Sequence, residues 1–188
     1  MAKKSLNLQL IILLTTNGLI LLAVAMLGPI YALFVQKVGG SLLDASLAGG
    51  VFALVAGLTS LLSGKYTDRL KNKKIVIVFG YFVMGISFVL YIWVNSVIML
   101  FMVQALIGLA QAIYSPAFDA LYSKYLDGNK AGLQWGAWES INFFTASGGA
   151  ILGGILVTKF GFNTLFIVMA LLCFSSGLYI HLVDKKVM

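Results

Sequence analysis

Gly64-Lys65-Tyr66-Thr67-Asp68-Arg69-Leu70-Lys71-Asn72-Lys73-Lys74 is a short, strongly cationic stretch between two long apolar runs. In a chain this apolar, it reads as a tight cytoplasmic turn joining two membrane helices. Hydrophobic residues make up 61% and charged residues 10% of 188 residues, with a mean hydropathy of +1.00. Soluble domains carry about 25% charged residues, and a soluble core has no room for so much apolar surface. The solvent of this chain is lipid. The net charge of +7 gathers in short clusters between apolar runs rather than on a basic face, so no nucleic-acid partner is expected. Cys173 stands alone and forms no intrachain disulfide; inside an apolar run it reads as a buried thiol.

Six apolar segments are long enough to span a bilayer, where about 20 residues suffice. They lie near Leu6–Val35, Ala45–Ser63, Ile75–Val94, Val97–Tyr122, Leu133–Thr158 and Thr164–Val183. Lipid offers the backbone no hydrogen-bond partners, so spans are helices or closed barrels. These runs lack the alternation of barrel strands, and the fold class is all-α. The connections are short and no linker appears, so residues 1–188 read as one six-helix domain.

Orientation follows from the cations. With the first terminus inside, Lys3, Lys4, Lys65, Arg69, Lys71, Lys73, Lys74, Lys124, Lys130, Lys185 and Lys186 are cytoplasmic, against Lys37 and Lys159 outside. Both termini are expected in the cytoplasm of a cell bounded by this membrane, the plasma (inner) membrane. So strong a bias excludes dual topology, and a homodimer would be parallel.

A faint internal repeat runs through the chain. Pro29 and Lys37 are spaced like Pro116 and Lys124, and Gly49 and Gly136 follow at a matching distance. Between an outward-running helix 1 and an inward-running helix 4, this gives an inverted 3+3 arrangement. Small residues recur every fourth position: Gly49, Ala53 and Gly57 on helix 2; Gly108, Ala112 and Pro116 on helix 4; Thr145, Gly149 and Gly153, with Gly154 adjoining, on helix 5. Such faces let two helix backbones approach, for static packing or for sliding.

The Gly64-x-x-x-Asp68-Arg69 spacing resembles the helix 2–helix 3 signature of the major facilitator superfamily of secondary transporters. The stretch Gln104-Ala105-Leu106-Ile107-Gly108-Leu109-Ala110-Gln111-Ala112 is similar to that family's helix 4 pattern. Gly149-Ala150-Ile151-Leu152-Gly153-Gly154 resembles its helix 5 motif, and Gly161-Phe162 stands where the family often has Gly before an aromatic residue. The matches follow the order of the family's amino-terminal half. Four positions depart: Gln104 replaces an Arg often found in proton-coupled members, Ala150 replaces the Pro of the helix 5 antiporter motif and Thr145 the Gly before it, and Lys71 stands where a second Gly is usual. The resemblance implies half of a facilitator fold, with helices 1, 2, 4 and 5 lining a cavity and helices 3 and 6 outside. It also implies that Gly64, Asp68 and Arg69 contact an opposite half and hold one conformer of the transport cycle.

The polar residues within the spans form faces. Gln104, Gln111, Ser115 and Asp119 lie within roughly 80° of one another on helix 4 at 3.6 residues per turn. Trp135, Glu139 and Asn142 share a face of helix 5, with Trp138 and Thr145 adjoining; helix 1 adds Asn17 and Tyr31. Glu139 lies about two turns inside helix 5, where a charge costs about 2.5–3.5 kcal/mol and usually faces a cavity or a partner. It reads as a coupling group for a proton or cation, with a structural partner for Lys124 or Lys130 as the alternative. Asp119 reads as a structural partner of Arg69. Trp135 and Trp138 are candidates to stack on substrate or to anchor at the interface, and Gln104 and Gln111 to bind substrate or the neighbouring helix.

No metal-ligand cluster, cofactor motif or catalytic constellation appears, so neither an enzyme nor a cofactor is expected. One bundle of this kind leaves half a cavity open to lipid. A small-molecule transporter pairing two copies in parallel is the first expectation. The alternative is a scaffold or partner subunit that transports nothing itself, or the amino-terminal fragment of a longer transporter.

Overall fold

The structure is a computed structural model and describes residues 6–70 and 72–184. Lys3, Lys4, Lys71, Lys185 and Lys186 of the orientation count lie outside the described residues. The chain is all-helical, with α1 Leu8–Leu27, α2 Tyr31–Lys37, α3 Leu42–Arg69, α4 Lys73–Leu90, α5 Val97–Tyr125 and α6 Ala131–Leu182. Five helical stretches are long and apolar enough to cross a membrane: Leu8–Lys37, Leu42–Arg69, Lys73–Trp93, Val97–Tyr125 and Ala131–Leu182.

Side chains set the helix starts. The Asn7 side chain accepts from Leu10 N (2.8 Å) and donates to Tyr125 O (2.8 Å), tying the start of α1 to the end of α5. Ser41 and Asp44 form a reciprocal capping box at α3, and Ser96 caps α5. The first expected span is interrupted, because Gly28–Ile30 tightens into a 3-10 turn around Pro29 between α1 and α2. Proline lacks the N–H that a continuous helix would use there. Pro116, its expected repeat mate, sits inside α5 instead.

Two expected turns are narrower than the stretches that announced them. The stretch 64–69 continues α3 to Arg69, so the cationic segment supplies a helix end rather than a loop. Its lysines act on helix termini. Lys73 Nζ donates to Thr67 O and Leu70 O, where α3 has run out of intrahelical donors. Lys74 is buried and donates to Val183 O at the end of α6.

The expected turn around residues 159–163 narrows to Gly161, which breaks the 52-residue α6 run with φ 79 and ψ 173. The contacts on either side show a reversal there. In the first arm, Ile141 approaches Gly18, Gly149 approaches Ala25 and Gly153 approaches Met26, so residues 131–160 run parallel to α1. In the second arm, Phe166 touches Phe34 and Ser176 donates to Thr16 O (2.6 Å), so residues 162–182 run back. That φ/ψ pair is essentially a glycine conformation, and other residues pay roughly 1–3 kcal/mol for it. Gly161→Ala is therefore expected to lower the thermal unfolding midpoint in detergent. Gly128→Ala, where a Cβ meets nothing within 4 Å and φ is not positive, leaves the midpoint unchanged.

Contacts between elements are densest between α1 and α6, α3 and α5, α4 and α5, and α4 and α6. One end is locked by rings: Tyr91 stacks on Phe166 at 4.8 Å, and Phe34 meets Phe166 edge-on at 4.9 Å. Lipid tails are as apolar as these side chains, so packing and dispersion hold the bundle rather than exclusion from water. The cover is uneven. The apolar windows of α4 and α5 are 44% buried, whereas that of α3 is 6% buried.

Candidate functional site

Two cavities open beside α1 and α5. The first measures about 220 Å³ and is lined by Asn17 and Leu21 of α1, by Gln111, Tyr114, Ser115, Phe118 and Asp119 of α5, and by Trp138 and Asn142 of α6. It brings together five of the residues expected from sequence: Asn17, Gln111, Asp119, Trp138 and Asn142. The second, about 180 Å³, is mostly apolar. Tyr31 and Gln104 face it among Val24, Leu27, Phe52, Phe88, Tyr91, Ile107 and Met169.

Tyr114 lines the polar cavity, and a second buried tyrosine packs behind it. Tyr81 is fully buried and its hydroxyl donates to Asn17 Oδ1 at 3.4 Å, while its ring meets Tyr114 edge-on at 5.0 Å. Asn142 Nδ2 donates to Trp138 O (3.3 Å) on its own helix. Trp138 Nε1 is buried without a hydrogen-bond partner, whereas the Tyr31 hydroxyl of the second cavity lies beside Gln104 and Tyr91. A buried donor left unpaired carries its full desolvation penalty, about 1–3 kcal/mol. The polar cavity therefore holds one donor with free capacity for an incoming acceptor. No group of three or more metal-ligating residues occurs among the described residues.

The remaining expected residues lie elsewhere. Trp135 is outside both cavities and packs against Tyr122 (5.0 Å) and Trp138 (6.0 Å), which makes it a brace for the cavity wall. Glu139 is exposed on the first arm of α6, one residue beyond Trp138 and outside the cavity lining. Asp119, expected as a tie to Arg69, lines the polar cavity instead, and among the described residues no ion pair joins the two. Gly64, Asp68 and Arg69 form the last turns of α3, with both charged residues exposed.

The glycines divide by contact. A Cβ on Gly108 would meet Phe52 O at 2.5 Å, one on Gly149 would meet Ala25 Cβ at 2.6 Å, and one on Gly153 would collide with Met26 O, whereas Gly154 faces open space. Pro116 is half-buried inside α5. Sequence reasoning missed Tyr114, which lines the cavity, and Tyr81, which backs it, because a tyrosine in an apolar run gives no sign of what it packs against. It also missed Phe118, whose place follows only from the rotation of α5 against α1.

The sequence profile of the Major Facilitator Superfamily matches residues 13–187. The chain belongs to that superfamily. Relatives differ in how much of their own length is matched. The uncharacterized MFS-type transporter YitZ of Bacillus subtilis is 26% identical over 158 residues, covering 83% of this chain and 94% of that protein. The multidrug resistance protein MdtG of Serratia proteamaculans is 26% identical over 174 residues, 89% of this chain and 41% of its own. An uncharacterized MFS-type transporter of Methanocaldococcus jannaschii is 28% identical over 141 residues, 75% of this chain and 36% of its own. The chain thus spans less than half the length of the last two. Superfamily membership and the apolar helices make it an integral membrane protein of a transporter family, not an enzyme.

Proposed function

We propose that this facilitator chain is one half of a secondary transporter, which carries a small solute by alternating access and works as a parallel pair of identical halves. α6 crosses the bilayer twice, once on each side of Gly161, so the bundle has six spans in two inverted sets of three. Both termini face the cytoplasm, in the plasma membrane. Facilitators rock two such bundles about a site near the midplane.

The observation that carries this reading is the polar cavity. A carboxylate, three amides and an unpaired indole N–H converge from α1, α5 and α6 on one cavity. Polar groups in a bilayer face a cavity or a partner rather than lipid. The coupling role expected of Glu139 falls to Asp119, which lines the cavity. The name of the MdtG relative suggests a first probe. Proteoliposomes or cells bearing the chain should extrude ethidium down an imposed proton or sodium gradient. A panel of lipophilic compounds tested without any gradient-dependent flux would remove the transport reading.

A second reading rests on the relatives matched over 41% or less of their length. In it, the chain is a non-transporting partner subunit or the amino-terminal part of a longer transporter. Flux from the purified chain alone separates the two.

A further inference from the structure

The second cavity differs from the first in what it excludes. Among the described residues no charged side chain lines it, and an ion carried into such surroundings loses hydration that nothing there replaces. Its floor belongs to the core. Phe88, Tyr91 and Met169 are at most 2% exposed, yet each borders the same open volume of about 180 Å³. The mouth is at Val24 and Gly28 of α1, the two exposed residues of the lining. Gly28 sends no side chain across it, and a Cβ there would meet nothing within 4 Å. All six helices contribute, from Val24 of α1 and Tyr31 of α2 to Gln104 of α5 and Met169 of α6, so one chain forms the whole pocket.

The walls are fixed by the protein itself. Tyr91 stacks on Phe166, meets Phe34 edge-on at 5.5 Å and lies nearly parallel to Phe88 at 6.5 Å. The rings of Phe52, Phe88 and Tyr91 border the space together with Leu27, Ile107 and Met169. Left empty, such walls forgo the dispersion contacts that a ring between them would supply. Polar groups gather at one place, where the Tyr31 hydroxyl lies beside Gln104 and Tyr91. A primary amide and a hydroxyl each donate and accept hydrogen bonds, so this end serves an alcohol or a carbonyl. Size narrows the occupant further. An apolar cavity of about 150 Å³ stays dry and takes benzene, so this one has room for a single ring with a short substituent.

We propose that this pocket binds a neutral molecule made of one aromatic ring and a single hydroxyl or carbonyl group. The ring lies among Phe52, Phe88, Ile107 and Met169, and the polar group bonds to Gln104 beside Tyr31. A charged ring compound is refused, since the lining offers it no counter-ion. The inference goes beyond the paired-halves reading: one chain forms the pocket, and binding requires no flux.

Methyl NMR of the purified chain in detergent tests it, with the methionine methyl groups labelled and benzyl alcohol as the probe. Met169 is fully buried and lines the pocket, whereas Met102 is 59% exposed and reports partitioning of the probe into the micelle. The Met169 resonance, assigned by its loss in Met169→Leu, is expected to shift and saturate, while that of Met102 drifts in proportion to the probe. Benzylammonium should leave Met169 unmoved. Val24→Phe closes the mouth from an exposed position, and should abolish the saturable shift without lowering the unfolding midpoint. Gln104→Leu should weaken benzyl alcohol about tenfold, the loss of one hydrogen bond, and leave toluene binding unchanged. A Met169 resonance that never moves, or that follows Met102 without saturating, overturns the site. So does a saturable shift that survives Val24→Phe. Benzylammonium binding as tightly as benzyl alcohol contradicts the neutral ligand, and equal benzyl alcohol affinity in Gln104→Leu and the natural chain contradicts the polar end.

Discussion

Gly153→Ala is expected to lower the yield of folded protein and the unfolding midpoint more than any other single-methyl change in this bundle. The added Cβ collides with Met26 O, with Met26 C at 2.6 Å and Met26 Cα at 2.8 Å. These are backbone atoms, so no rotamer change relieves them, and the α1–α6 contact has to open along its length. Overpacking of this kind costs typically 1–3 kcal/mol and occasionally more; here the whole helix pair is displaced. Gly108→Ala follows, against Phe52 O at 2.5 Å. Gly57→Ala and Gly136→Ala should leave the midpoint of the detergent-solubilised monomer unchanged, since both face open space within the chain. Thermal scanning of the four purified variants checks the order. A midpoint for Gly153→Ala equal to that of Gly136→Ala would mean that α1 and α6 do not approach as described.

Asp119→Asn is expected to leave that midpoint in place and to reduce gradient-driven flux roughly tenfold or more, the equivalent of at least about 1.4 kcal/mol. The substitution keeps shape and hydrogen-bonding capacity but removes the charge that faces Asn17, Gln111 and Asn142 across the polar cavity. A transporter whose driving ion binds elsewhere would retain its gradient dependence in this variant. Glu139→Gln makes the informative comparison. Placed outside the cavity, it should leave the gradient dependence in place. The opposite pattern would return the coupling role to Glu139.

The class of this protein was legible because lipid imposes so few solutions: long apolar runs joined by short loops leave only packed helices. The superfamily was legible in motifs whose spacing places small residues at close helix contacts, such as Gly108 and Gly153. The site was legible only in part. Gln104 and Gln111 lie on one line of α5, yet the crossing of α3 over that helix separates them into two cavities. Asn17 and Tyr31 likewise part company, because fourteen residues of helical rise set them roughly 21 Å apart. Glu139 drew attention as an acid in an apolar run, but which way it points depends on the rotation of α6 fixed by Gly149 and Gly153 against α1. Polarity within a span marks a residue as consequential; neighbouring helices decide whether it faces the cavity or the outer surface. The extent of α3 is hidden in the sequence for a similar reason. Charged residues near a membrane surface suggest a turn, whereas Lys73 caps the carbonyls that let the helix run on to Arg69.

The central claim is that the uncovered side of this bundle closes on an identical bundle. Single-molecule photobleaching of the fluorescently labelled chain, reconstituted in lipid bilayers at high dilution, measures this most directly. The account predicts two-step bleaching for most spots, with a dimer population that persists as the protein-to-lipid ratio falls. Single-step bleaching throughout, in chains that remain folded, would contradict it.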